Sequence, residues 1–83
     1  MKIEWQNKAR KQLRKLGNPA AAARILSAIE DYASGKPCDV KALVEHAFTH
    51  RLRVGDYRVL MTVSKTVEIC LIEEVRKRDE RTY

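Results

Sequence analysis

Two short runs on either side of Gly55-Asp56 constrain this chain more than anything else in it. Arg51-Leu52-Arg53-Val54 precedes the pair and Tyr57-Arg58-Val59-Leu60 follows it. Successive side chains of a strand point to opposite faces, so Arg51 and Arg53 share one face while Leu52 and Val54 share the other. Gly-Asp between two such runs is a hairpin turn signal. A second turn, Ser64-Lys65-Thr66, leads into Val67-Glu68-Ile69-Cys70-Leu71-Ile72. That run is apolar on both faces and so belongs inside a sheet. Strands over about 48–54, 57–63 and 67–75 therefore make an antiparallel meander with one basic surface.

A sheet with one apolar face needs a cover, and the first half of the chain supplies it. Lys2-Ile3-Glu4-Trp5 alternates polar and apolar, as a short first strand does. Asn7 is placed to cap a helix running to about Leu16, with Ala9, Leu13 and Leu16 as its apolar stripe. Gly17-Asn18-Pro19 ends that helix and begins another: Gly17 at the C′ position, Asn18 as cap, Pro19 in the first turn. Residues Ala20 to about Ala33 are strong helix formers, with Ala22, Ile25, Leu26, Ile29 and Tyr32 as the expected buried face. Ser34-Gly35-Lys36-Pro37 breaks the helix. Residues 36–47 have no period and read as a loop pinned by Val40, Leu43 and Val44. The order is β-α-α-β-β-β. The expected fold is α+β, a helical hairpin packed on a small, mostly antiparallel four-stranded sheet. Trp5 and Tyr32 read as core anchors.

The expectation is a single domain over residues 1–83, near the lower size limit for a self-sufficient core, with a basic tail at 76–83. Seventeen Lys and Arg against eleven Asp and Glu give a net charge of +6, which favours polyanions or acidic proteins as partners. The charge is concentrated at the two ends, with Lys2, Lys8, Arg10, Lys11, Arg14 and Lys15 in the first 16 residues and Arg76-Lys77-Arg78 and Arg81 in the tail. Cys38 and Cys70 are far apart and form no CxxC or Cys/His cluster, so no metal and no cofactor is expected. Cys70 reads as a small core residue and both thiols as reduced. Lys2 and Glu4 interrupt the N-terminus, and no apolar run approaches the roughly 20 residues of a spanning helix. A cytoplasmic protein with no membrane partner is expected.

The run Arg-Leu-Arg-Val-Gly-Asp-Tyr-Arg-Val-Leu at 51–60 and the ending Val-Arg-Lys-Arg-Asp-Glu-Arg-Thr-Tyr at 75–83 resemble the RelE/ParE toxin superfamily of bacterial type II toxin–antitoxin modules, closer to its RelE-type mRNA interferases. The order of elements is similar along essentially the whole chain. The resemblance implies a ribosome-dependent endoribonuclease that cuts mRNA in the A site, using the RNA's own 2′-hydroxyl as nucleophile. By the same resemblance Arg58 matches the strand arginine that stabilises transition-state charge. Arg78 matches the tail arginine that steadies the phosphate or protonates the leaving group, and Tyr83 the tyrosine that stacks on a base.

Arg51, Arg53, Arg76, Lys77 and Arg81 are the expected substrate-binding cations. Arg51 falls where RelE-type sequences carry a lysine proposed as general base. A guanidinium, with pKa above about 12, is a poor base at neutral pH. Either another group takes the proton, with His46 and His50 the only imidazoles available, or positioning by the ribosome carries more of the rate. The implied partners are a cognate antitoxin, the ribosome and mRNA, with DNA reached only through the antitoxin. The alternative within the superfamily is a ParE-like, non-enzymatic inhibitor of DNA gyrase.

Overall fold

Residues His50–Val54 and Tyr57–Ser64 pair antiparallel around Gly55-Asp56, with Val54 opposite Tyr57. Gly55 has φ +58° at the first turn position, a conformation open to glycine and strained for other residues. The computed structural model describes residues 1–77. Its elements are β1 (Lys2–Trp5), α1 (Asn7–Lys15), α2 (Pro19–Ala33), β2 (Val40–Ala42), β3 (His50–Val54), β4 (Tyr57–Ser64) and β5 (Ile69–Lys77). One sheet runs in the order β1-β5-β4-β3-β2, antiparallel except where β1 lies parallel to β5. Among the described residues no helix is long and apolar enough to cross a membrane.

The α+β class and the helical hairpin agree with expectation, but the sheet has five strands rather than four. The additional strand, β2, holds only three residues, with Val40 opposite Leu52 and Ala42 opposite His50. Three residues are too few to display a period, so this strand is set by pairing with its neighbour and not by its own pattern. Val40 packs against the core and Leu43 is half-buried, whereas Val44 is 86% exposed and pins nothing. The last strand begins at Ile69, not Val67. Val67 is exposed and Glu68 has φ +54°, so both belong to the turn.

Helix α1 is capped by Gln6 without a side-chain bond, and Asn7 is its first helical residue. Asn18 does cap α2, accepting the Ala21 N–H at 3.1 Å, with Pro19 in the first turn. The buried stripe of α2 is Ala21, Ile25 and Ile29, at i, i+4 and i+8. Leu26 lies about 100° further round the helix and is 42% exposed.

Both helices cover one face of the sheet. Ala9, Ala21, Ile25 and Ile29 pack there with Leu52, Tyr57, Val59, Met61, Cys70, Ile72 and Val75. The spacing of Cys70, Ile72 and Val75 departs from the strict alternation of a strand. An irregularity between Leu60 and Met61 resolves it: Met61 faces Ile72 but Leu60 faces Glu74, so Glu73 is an extra residue in β5. The bulge keeps Val75 on the helix side and turns both Glu73 and Glu74 to the other. Beyond Ile72, β5 has no further partner in β1, and α1 takes the strand's place. The Gln12 side chain accepts the Val75 N–H at 2.8 Å.

Candidate functional site

The strand register brings three arginines into line. Arg53 lies opposite Arg58, and Arg58 lies opposite Arg76. Directly opposed residues of antiparallel strands share a face, and strands lie about 4.8 Å apart, so the row is about 10 Å long at the backbone. Their strand neighbours Leu52, Val59 and Val75 are all in the helix-side core, so the row occupies the opposite face. Arg53 and Arg76 are exposed and Arg58 is half-buried.

The next rung runs from Lys41 through Arg51 and Leu60 to Glu74. Leu60 is buried at 6% exposure although it faces away from the helices. Arg51 reaches Asp39 with its Nη2 at 3.9 Å, and its Nε is buried with no hydrogen-bond partner among the described residues. Thus Arg51, Arg53, Arg58 and Arg76, drawn from three strands, share one surface.

Like charges directly opposite one another in a sheet destabilise it by up to about 1 kcal/mol per pair. Glu74 offsets part of that repulsion. Its side chain is only 8% exposed. Arg76 donates to it through Nε (3.1 Å to Oε1) and Nη2 (3.0 Å to both Oε1 and Oε2), a forked pairing that fixes the guanidinium plane. From α1, Lys8 Nζ approaches Oε1 at 3.1 Å. Burial by itself raises the Glu74 carboxyl, but hydrogen bonds from Lys8 and Arg76 and their charges outweigh it and hold the group below the ordinary carboxylate range. Its bulge neighbour Glu73 accepts the Thr62 hydroxyl at 2.6 Å.

The remaining candidates are distributed otherwise. Lys77 is opposite Tyr57, a core residue, and so stands on the helix side. His50 is opposite Met61, and its ring lies 6.3 Å from that of Tyr32, also on the helix side. His50 Nδ1 lies 2.8 Å from the Thr49 hydroxyl oxygen, which also lies 3.2 Å from the Met61 carbonyl. His46 sits in the exposed segment between β2 and β3, where its Nδ1 accepts the Phe48 N–H at 3.1 Å. Arg78, Arg81 and Tyr83 lie outside the described residues.

Glu74 and Lys8 escaped the sequence reading. The signal for Glu74 was present in the broken alternation of Cys70, Ile72 and Val75, which calls for an inserted residue at 73 or 74. Lys8 had none, because one lysine on a basic helix looks like any other.

No protein-family model matches the chain, and no curated protein sequence does. Solved structures do. The chain resembles one from the RelBE2 toxin–antitoxin complex of Mycobacterium tuberculosis, with a TM-score of 0.78 and 26% identity over 93% of this chain and 96% of that one. The chain belongs to the RelE-type toxin superfamily. Two archaeal RelE–RelB complexes share the superfamily's fold with it. The one from Pyrococcus horikoshii has a TM-score of 0.77 and 24% identity, over 95% of this chain and 96% of that one. The one from Methanococcus jannaschii has 0.71 and 22%, over 89% and 88%.

Proposed function

We propose that this protein is the toxin of a type II toxin–antitoxin module and acts as an endoribonuclease on ribosome-bound mRNA. The observation that carries the reading is the arginine row, three opposed cations aligned on one face of the sheet. A single strand of RNA presents phosphates in series, and a row of guanidiniums meets several of them at once. In the reaction the 2′-oxygen attacks the adjacent phosphorus and the bond from phosphorus to the 5′-oxygen breaks. The products are a 2′,3′-cyclic phosphate and a free 5′-hydroxyl. One proton leaves the 2′-hydroxyl for a base and one is delivered to the departing oxygen. Arg58, at the centre of the row, is the residue to stabilise charge on the crowded phosphorane, which forms only in the transition state. Arg78 and Tyr83 complete the set by resemblance, as leaving-group or phosphate partner and as base-stacking platform. Arg51 cannot serve as the base at neutral pH, so proton removal falls to another group or to the ribosomal surroundings.

Primer extension on programmed ribosomes tests this. Cuts in the A-site codon are expected with wild-type protein and not with Arg58→Ala. Intact message alongside wild-type protein removes the proposal. Inhibition of gyrase supercoiling by the same preparation would put the ParE-like activity in its place.

The partner is an antitoxin with an acidic, amphipathic segment. A groove of about 540 Å³ between the helices is floored by Trp5, Leu13 and Leu26 and rimmed by Arg10, Lys11 and Arg14, which suits such a segment in both shape and charge. The complex is expected to melt above the free toxin, by about 2.7 kcal/mol of added stability at a hundredfold excess over Kd. Equal melting temperatures would contradict the pairing.

A further inference from the structure

Glu74 presents a difficulty for the arginine row. A buried carboxylate that holds Arg76 in a fork competes with any phosphate for the same guanidinium. Were Arg76 its only cation, transferring Arg76 to RNA would leave a charge in a poorly hydrated place with nothing to balance it. Lys8 removes that obstacle. It reaches the same Oε1 at 3.1 Å from α1, an element outside the sheet, so its pairing does not depend on Arg76. Nη1 of Arg76 takes no part in the fork, so a phosphate can engage that end first.

We infer that Lys8 is a positioning residue for the arginine row: by retaining Glu74 it lets Arg76 exchange its carboxylate for an RNA phosphate. The inference rests on the RNA-binding reading of that face. Lys8 acts through Glu74 and makes no contact with RNA itself. Two consequences follow that a merely structural lysine would not have. Removing Lys8 should lower RNA affinity only while Glu74 is charged. It should also take one phosphate contact out of the salt dependence, because Arg76 then stays on the one carboxylate that needs it among the described residues.

The test is a double-mutant cycle on the full chain, using fluorescence anisotropy with an uncleavable 2′-O-methyl oligoribonucleotide across a KCl series. Lys8→Met is expected to weaken binding about tenfold and to flatten the slope of log K against log salt by about 0.7. Lys8→Arg should restore both. In a Glu74→Gln background Lys8→Met should change neither, since the neutral amide does not hold Arg76. Thermal melts of the variants establish that each is folded. An equal loss in both backgrounds would mean that Lys8 touches RNA directly, and no loss in either would mean that it does nothing there; each overturns the inference alone. Wild-type protein that ignores the oligonucleotide, or binds it as well after Arg58→Ala, overturns the RNA reading and this inference with it.

Discussion

On the helix side of the sheet, Leu52, Val59, Met61, Cys70, Ile72 and Val75 are each no more than 3% exposed. On the other side the same strands set Arg53, Arg58 and Arg76 opposite one another. The first face follows the rule of burial, in which each neighbour adds contact and removes water. The second breaks the rule of cross-strand pairing, in which like charges are kept apart. A small fold has little stability to spare, and a row of like charges set opposite one another in it points to work done elsewhere. The helix face holds the molecule together, and the arginine face is what it holds out.

Variants can break the contrast or sharpen it. The largest effect on folding is expected from Ile72→Ala, which removes a fully buried side chain at the centre of the helix face. Urea denaturation should register a loss of about 2–5 kcal/mol, and cleavage should fall only as far as the folded population does. Arg58→Ala should do the reverse. Its stability should stay within about 1 kcal/mol of wild type while cleavage on ribosomes drops by about 10²-fold or more. A variant that lost both together would erase the division between the faces.

Glu74→Gln probes the border between them, with a smaller effect that depends on pH. The Glu74 carboxyl is held below its ordinary value of 4.5, so its stabilising pairing is fully present above that pH. The contribution is lost as pH falls through the lower, folded-state value. The variant should therefore melt below wild type at neutral pH, and the gap should close in acid. A gap that widened on acidification would show that the Lys8–Glu74–Arg76 cluster opposes folding.

Much of this was legible in the residues, and the parts that were not have physical reasons. Gly55-Asp56 and the alternation around it announced the hairpin, and the strand parity that separates Arg51 and Arg53 from Leu52 and Val54 holds in the structure. Gly17-Asn18-Pro19 announced the joint between the helices. Strand β2 did not announce itself, because three residues carry no period and pairing alone makes them a strand. Leu26 misled, since hydrophobicity says that a side chain can be buried but not that the helix turns it inward. The alignment of Arg53 and Arg76 across Arg58 depends on register, which turn lengths and a bulge decide jointly. The clamp on Glu74 joins residues 8 and 76, and no local pattern could reveal it.

The extra residue at Glu73 also governs how the chain tolerates changes in length. Deleting Glu73 would close the bulge into regular alternation and leave Glu74, Val75 and Arg76 on the sides they now occupy. Taking out both Glu73 and Glu74 would send Arg76 to the apolar side and expose Val75, exchanging the surroundings of everything downstream. The single deletion should be survivable and the double one ruinous, an arithmetic that deletions at 73 and 74 would make visible.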